Sequence, residues 1–387
     1  MAGRMSGPAV GPQQSRPQGA ASRRDGAATD VPRQAEGARH DGKPRGKSAP
    51  TAYGRGRGGG GRAEAWRDRI YSALDLGTNN CRLLVAKPVS GGFRVIDAFS
   101  RIVRLGEGVA VSGQLSEQAM DRAIAALKIC AEKIDRRQVS LRRAVATQAC
   151  RAAVNCGQFI DRVREETGIA LDVITAEEEA RLAVLGCQSL LDRQVGDALV
   201  FDIGGGSTEL IWVRVDPDGE IEMRAWTSIN HGVVSMAERF GSGIIAESLF
   251  AEMVAYVADD LNGFEEGGTL IEAAASGGLQ ILGTSGTITT LASLQLGLPR
   301  YDRSKVDGCI VPSLDIRHLS RRLAGMDNGT RAAFGCIGRE RADLVVAGCA
   351  ILDAILERWP VPQLRVADRG IREGVLRTLM RQDGAHA

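Results

Sequence analysis

One stretch of the sequence limits the possible folds of this chain more than any other. It reads Leu199-Val-Phe-Asp-Ile-Gly-Gly-Gly-Ser-Thr-Glu-Leu-Ile-Trp-Val213, two apolar runs joined by glycines and hydroxyl residues. Two short apolar runs around glycine predict a β-hairpin. A plain hairpin needs only one or two glycines. Three in a row indicate either a plain flexible loop or a backbone whose N–H groups converge on phosphate oxygens.

The phosphate interpretation gives each residue of the turn a role. Gly205 either approaches the ligand closely because it has no Cβ or adopts a positive φ. Asp202 and Glu209 flank the turn, and carboxylates suit the divalent cation that accompanies a polyphosphate. The predicted phosphate-binding residues of this turn are Gly204, Gly205, Gly206, Ser207 and Thr208.

The same pattern occurs a second time, earlier in the chain. Ser72–Val85 aligns with the hairpin at an offset of 127 residues, so that Asp75 matches Asp202 and Gly77 matches Gly204. Two such hairpins predict two related subdomains, each with one phosphate loop. Asp75 joins Asp202 and Glu209 as a predicted metal ligand. The predicted substrate residues of this loop are Gly77, Thr78, Asn79, Asn80 and Arg82.

Charge is distributed unevenly along the 387 residues. Residues 1–62 hold twelve Lys and Arg against four acids, a net of +8, which leaves −6 for the remainder. The folded part therefore gives no reason to expect a strong nucleic-acid site. Residues 1–65 are rich in Gly, Pro and Arg and predict a disordered basic tail. With no signal-peptide core and no long apolar run, we expect a cytoplasmic protein without a membrane span.

The metal-ligating and nucleophilic residue types narrow the chemistry. Eight cysteines occur without a CxxC pair, which favours reduced thiols. The chain has only four histidines, two of them near its ends. This count argues against a histidine-ligated metal or an imidazole triad, so we expect catalysis by carboxylates.

Strand-like and helix-like patterns alternate along the chain, which predicts an α/β fold. We expect one subdomain over 66–178, completed by a C-terminal helix over 366–384, and a second over 179–365. Thr175 and Glu178 form a predicted capping box at the start of a helix. A third glycine-hydroxyl turn precedes another helix, whose N-terminus offers donors to an anion. Its predicted substrate residues are Gly283, Ser285 and Gly286.

These three turns together resemble the phosphate and nucleoside loops of the actin, Hsp70 and sugar-kinase superfamily. Within it, residues 70–380 closely resemble the exopolyphosphatase/guanosine pentaphosphate phosphatase family. The resemblance includes Thr147–Arg151, Glu178–Leu182 and Arg372–Leu376. It implies two RNase-H-like subdomains around a cleft, and Mg²⁺-assisted hydrolysis of a terminal phosphoanhydride in polyphosphate or guanosine pentaphosphate. Longer family members append a C-terminal helical domain that these 387 residues do not contain, so we expect the short form of the family.

The resemblance also assigns roles to individual residues. It implies that Glu179 is the catalytic base, with Glu209 opposite it and Arg151 neutralising phosphoryl charge. Arg82 matches a position that some relatives use near a guanosine polyphosphate. From the residues alone, acids at the start of a helix are often explained by the helix dipole.

Two other functions remain open from the sequence. One is a phosphotransferase of the same superfamily that passes phosphate to a nucleotide or sugar. The other is a non-catalytic sensor of guanosine polyphosphates. A homodimer is also left open.

Overall fold

The structure is a computed structural model that describes residues 68–264 and 268–384. The predicted tail over 1–65 lies outside the described residues. Within the described residues, no helix has the length and apolar content needed to cross a bilayer. All eight cysteines are free thiols, as expected.

The first sheet is built from residues 71–173 and has the strand order β3-β2-β1-β4-β5. Strands β1 to β3 form an antiparallel meander, and β4 and β5 add parallel to β1. Its strands are β1 Tyr71–Leu76, β2 Asn80–Val89, β3 Gly92–Ile102, β4 Leu141–Ala146 and β5 Leu171–Val173. We call this sheet and its helices the first lobe.

The second sheet, over residues 197–367, repeats this arrangement and adds one edge strand. Its order is β10-β11-β9-β6-β7-β8, again a meander followed by parallel neighbours. Its strands are β6 Asp197–Ile203, β7 Thr208–Val215, β8 Ile221–Ile229, β9 Leu279–Thr284, β10 Ile310–Pro312 and β11 Gln363–Ala367. We call this sheet and its helices the second lobe. The predicted fold class, α/β with two RNase-H-like halves, is confirmed.

The two hairpins that align in sequence have the same hydrogen-bond pattern. Asp75 pairs with Arg82 and Asp202 pairs with Glu209. The Gly77 N–H donates to the Asn80 carbonyl at 2.9 Å, and at the equivalent place Gly204 donates to Ser207 at 2.9 Å. Each meander also has a register shift at the same place, between 85 and 86 and between 212 and 213. The 127-residue offset therefore also relates the positions of these two register shifts.

The helices cover the sheets and supply most of the hydrophobic core. The long helix α13 is buried along nearly its whole length in the second lobe. The helices are α1 Val109–Ser112, α2 Glu117–Arg136, α3 Gln148–Ala152, α4 Cys156–Thr167, α5 Ala176–Cys187, α6 Val233–Phe240, α7 Glu247–Leu261, α8 Thr269–Ala275, α9 Gly286–Gln295, α10 Arg303–Val306, α11 Ser313–Ala324, α12 Asn328–Ala332, α13 Val345–Arg358 and α14 Ile371–Gln382.

Helices α5 and α14 cross between the lobes in backbone contact. A Cβ placed on Gly186 would lie 1.9 Å from the Gly370 carbonyl oxygen, and one on Gly374 would lie 2.1 Å from that of Leu182. Only glycine permits this approach. Leu182 packs with α14 in the core of the first sheet, whereas Val184 packs with the second sheet. Helix α5 therefore belongs to both lobes, and the domain boundary at 178 stays a prediction.

The predicted helix start at Thr175 is confirmed for one half of the capping box. The Thr175 hydroxyl accepts a hydrogen bond from the Glu178 N–H at 3.1 Å. The Glu178 carboxylate does not reach back to the cap. It accepts instead from Arg143 Nη1 at 2.7 Å, because an arginine on the neighbouring strand β4 offers a charged donor.

Candidate active site between two glycine loops

A cleft between the lobes collects most of the residues that the sequence singled out. Both predicted phosphate loops contribute to its lining, together with the start of α5 and the turn before α9. The predicted residues that line it are Asp75, Gly77, Thr78, Asn79, Asn80, Arg82, Glu179, Asp202, Gly204, Gly205, Gly206, Ser207 and Ser285.

The loop over 204–206 is held from outside the cleft by the first turn of α6. The N–H of Val233 donates to the Gly204 carbonyl at 3.0 Å, and that of Val234 donates to the Gly205 carbonyl at 2.8 Å. A trans peptide unit points its N–H away from its C=O. The N–H groups of Gly205 and Gly206 therefore turn away from α6, toward the cleft that these glycines line. Amides oriented in this way form an anion-binding concavity.

The first loop is held in the same manner by the chain that follows β3. The N–H of Gly106 donates to the Thr78 carbonyl at 2.9 Å, and that of Val103 donates to the Asn79 carbonyl at 2.8 Å. By the same peptide geometry, the N–H groups of Asn79 and Asn80 point away from 103–106. Each lobe therefore uses the segment after its third strand to orient its own glycine loop.

The two loops touch each other across the cleft. A Cβ on Gly205 would lie 3.0 Å from the Asn79 nitrogen and 2.9 Å from the Thr78 Cβ. Gly205 does not have a positive φ. Close approach of the opposite loop, rather than backbone conformation, is thus what requires glycine here.

Four carboxylates gather beside these loops, and burial raises the pKa of each. Burial, and then the charge of Glu209, raise the pKa of Asp202 to about 7, against the opposing effect of Arg82. The pKa of Glu179 lies well above its usual range for the same two reasons, burial first. Burial also raises the pKa of Asp75 and of Glu209. A bound cation would therefore favour ionisation of these four buried carboxylates.

A cation is the natural complement to this charge. The Oδ1 atom of Asp75 is buried without a hydrogen-bond partner, as expected of a carboxylate that binds a ligand. Within 68–264 and 268–384, however, no three His, Cys, Asp or Glu side chains are close enough to ligate one ion together. The arrangement fits Mg²⁺, which usually keeps several waters and binds through one or two carboxylates and substrate phosphates.

Glu179 is a buried carboxylate of the cleft that is held by a charged donor. It is the fourth residue of α5, its side chain is 9% exposed, and its Oε2 accepts from Arg151 Nη1 at 2.7 Å. Arg151 also donates to the Ile174 carbonyl and to Gln148, so its guanidinium is fixed. A carboxylate held in one orientation beside two amide-lined loops can accept a proton from water that attacks a bound phosphate.

Comparison with known proteins shows the family of this chain. The sequence model of the Ppx/GppA phosphatase family matches residues 84–383. This chain belongs to the Ppx/GppA phosphatase family. It is 30% identical over 329 residues to exopolyphosphatase 2 of Mycobacterium tuberculosis, covering 80% of this chain and 98% of that protein.

Two further Ppx/GppA relatives extend the comparison. The guanosine-5'-triphosphate,3'-diphosphate pyrophosphatase of Aeromonas salmonicida is 28% identical over 313 residues, which cover 80% of this chain and 59% of that protein. The crystal structure of the Aquifex aeolicus Ppx/GppA family member superimposes with a TM-score of 0.67 at 29% identity, covering 81% of this chain and 98% of that one.

Some predicted residues of this Ppx/GppA chain do not line the cleft. Thr208 is fully buried, and its hydroxyl donates to the His231 carbonyl at 2.6 Å. A Cβ on Gly283 would lie 2.3 Å from the Phe201 ring, so glycine is needed at this position for packing. Gly286 lines a neighbouring pocket instead. These three positions were expected to touch substrate because they belong to the glycine-hydroxyl turns.

Two predicted catalytic residues also lie outside the lining of the cleft. Arg151 bonds to Glu179, which does line it, so its geometry suits orienting the base. Glu209 is 1% exposed and accepts from the hydroxyls of Ser207 and Ser228 at 2.7 and 2.8 Å. Its charge still reaches Asp202 and Glu179 through the protein interior, as their pKa shifts show.

The cleft of this Ppx/GppA protein also includes residues that the sequence reasoning did not select. The added lining residues come from the Thr147 motif, from the end of β9, and from the turn before α14 with the first residues of that helix. These segments belong to the quoted resemblance or adjoin it, so that resemblance was the signal that could have found them. They are Thr147, Gln148, Thr284, Asp368, Arg369, Gly370, Ile371 and Arg372. Ser285, which the sequence did predict, has a φ of 80°, a conformation that its sequence does not predict.

Proposed function

We propose that this protein hydrolyses the terminal phosphoanhydride of inorganic polyphosphate or guanosine pentaphosphate, with Mg²⁺ as cofactor. The observation that carries the proposal is the meeting of the two glycine loops beside Glu179, with loop N–H groups turned toward one cleft. Family membership and the names of the relatives support the same reaction class.

In the proposed reaction, the loop amides and Glu179 have separate roles. The N–H groups of Asn79, Gly205 and Gly206 bind the oxygens of the terminal phosphoryl group. Glu179 accepts a proton as water attacks the terminal phosphorus, and the bond from that phosphorus to the bridging oxygen breaks. The electrons of the broken bond remain on the bridging oxygen of the shortened chain, which leaves as an oxyanion, and the terminal phosphorus is released as inorganic phosphate that carries the oxygen of the water. Fixed amides of this kind need no reorganisation as charge grows in the transition state.

Asp75 and Asp202 would hold the Mg²⁺, directly or through water, with Glu209 behind them. When bound, Mg²⁺ supplies charge neutralisation for the phosphates. Arg82 and Arg372 line the same cleft and supply further positive charge to a polyanion.

The deciding experiment measures phosphate release from polyphosphate and from guanosine pentaphosphate side by side, with and without Mg²⁺. We expect release from at least one substrate, and only when Mg²⁺ is present. No release from either substrate by folded protein would reject the proposal.

A phosphotransferase is the second candidate, favoured by a pocket next to the cleft. Ile203, Val233, Leu344 and Val345 give it an apolar wall, and Gly286 at the start of α9 lies at its edge. Such a pocket suits a nucleoside base, whether it belongs to the substrate or to a phosphate acceptor. Formation of ATP from polyphosphate and ADP would establish transfer. Binding of guanosine polyphosphates without any turnover would instead establish a sensor.

A further inference from the structure

The turn Arg104–Gly108, which follows β3, is fastened to the opposite lobe by an arginine. Arg104 Nη1 donates to Asp343 Oδ2 at 2.8 Å, and its Nη2 donates to Asp343 Oδ1 at 3.1 Å. Nη2 also donates to the Glu340 carbonyl at 3.2 Å. Asp343 belongs to the second lobe, just before α13. We call Arg104–Gly108 the coupling turn.

The coupling turn has a second attachment to the opposite lobe, at its other end. The N–H of Gly108 donates to Glu238 Oε1 at 2.8 Å. Glu238 lies on α6, the helix whose first turn holds the carbonyls of Gly204 and Gly205. One element of the second lobe therefore holds both its own glycine loop and the coupling turn.

Within the first lobe, the same turn holds the other glycine loop. The N–H groups of Arg104 and Gly106 donate to the carbonyls of Asn79 and Thr78 at 3.1 and 2.9 Å. From behind, Arg122 donates to the carbonyls of Val103 and Arg104. Arg104 has a φ of 47°, a conformation uncommon for residues other than glycine. Such strain persists only where the surroundings determine the backbone.

We propose that Asp343 and Glu238 are positioning residues, which hold the coupling turn from the second lobe and thereby orient the amides of the first glycine loop. Closure of the lobes and orientation of the phosphate-binding amides then occur together. The inference rests on the proposed function for its kinetic test. The Arg104–Asp343 pair is partly exposed and the Gly108–Glu238 hydrogen bond is exposed, and neither an exposed ion pair nor a single exposed hydrogen bond adds much to stability. We therefore expect their loss to change the site more than the melting temperature.

The first test needs no substrate. Amide hydrogen exchange is measured over 103–106, whose N–H groups donate to the first loop, in Asp343→Asn and Glu238→Ala. We expect exchange there to be at least about threefold faster than in wild type. Glu166→Gln is the control, since Glu166 pairs with Lys128 at 2.8 Å on the outside of the first lobe. Unchanged exchange over 103–106 in both variants would overturn the inference.

The second test measures kinetics on polyphosphate. We expect both variants to raise KM by about fivefold or more, with kcat and melting temperature close to wild type. Exchanging the charges, Arg104→Asp with Asp343→Arg, should return KM most of the way to wild type. A lower melting temperature with unchanged KM would show a merely structural pair and reject the inference. If the wild-type protein hydrolyses neither substrate, the proposed function fails. The amide hydrogen-exchange experiment still decides whether Asp343 and Glu238 hold the coupling turn.

Discussion

At the scale of single residues, the proposed chemistry depends on how Glu179 is held. Burial and the charge of Glu209 favour its protonated form, whereas Arg151 favours the carboxylate. A base with a raised pKa accepts a proton more readily, provided that it is ionised when water attacks. Bound cations in the cleft would favour the ionised form.

We expect Glu179→Gln to lower kcat by about 10²–10⁴-fold, because the amide keeps the shape and loses the base. Substrate affinity should change little. The measurement is phosphate release beside equilibrium binding. Glu178→Gln is the matched control, since Glu178 lies on the same helix but pairs with Arg143. Turnover of the Glu179 variant within a factor of two of wild type would remove this residue from the mechanism.

Asp202 leads to a prediction about pH and stability without metal. Its pKa rises from 3.8 to about 7 on folding, so the folded state binds the proton more tightly than the unfolded state. The contribution of the Asp202 carboxyl to the free energy of unfolding is therefore fully present below pH 3.8 and is lost as the pH rises through 7. Asp202→Asn should therefore be more stable than wild type at pH 8, by up to about 4 kcal/mol, and similar at pH 4.

Thermal melts at both pH values check this prediction. Adding Mg²⁺ should raise the melting temperature of wild type at pH 8 and narrow its difference from Asp202→Asn. Equal melting of the two proteins at pH 8 without metal would contradict the assigned shift. A wild type that gains nothing from Mg²⁺ would contradict the metal proposal, independently of activity.

The residues of the site could be predicted only in part. Asp75, Asp202 and the loop glycines were found because their pattern repeats and each has a chemical reason. Thr208 and Gly283 follow the same pattern but face a carbonyl and an aromatic ring. Alternation along a strand decides which neighbour faces the cleft, and the exact register was not available from sequence. Arg372 enters from the far end of the chain through tertiary packing.

At the scale of elements, the close contact between the two glycine loops leads to a prediction about substitution at Gly205. We expect Gly205→Ala to lower kcat/KM by about 10²-fold, because the methyl group displaces Thr78 and Asn79 and misaligns their amides. Gly157→Ala in α4 is the control, since its Cβ would meet nothing within 4 Å. Phosphate release is compared with melting temperature for both. Normal activity in Gly205→Ala would show that activity does not require the close contact between the two glycine loops.

The elements themselves were largely predictable because each carries a strong local pattern. The two hairpins follow from spacing alone. The sequence pattern over 149–163 is also helical, but the structure divides this segment into α3 and α4. Between them, the amide of Asn155 bonds to both backbone groups of Leu115. A contact 40 residues away thus overrides local propensity, and local reasoning does not see it.

At the scale of the whole molecule, every buried core residue of the described chain lies between Tyr71 and Met380. We therefore expect deletion of residues 1–62 to leave kcat and melting temperature essentially unchanged. The measurement compares the shortened and full-length proteins on short and long polyphosphate. A large drop in melting temperature would show that the segment contributes to the fold. A higher KM for long chains alone would show that its net charge of +8 gathers polyanions.

The crossing of α5 and α14 has a mechanical consequence. With no side chain between Gly186 and Gly370, no rotamer change can absorb a displacement there, so the crossing fixes the position of α5 relative to the chain before α14. Glu179 is seven residues from Gly186 on the same helix, about 10 Å at 1.5 Å per residue. The position of the proposed base is therefore set by this helix crossing rather than by the glycine loops.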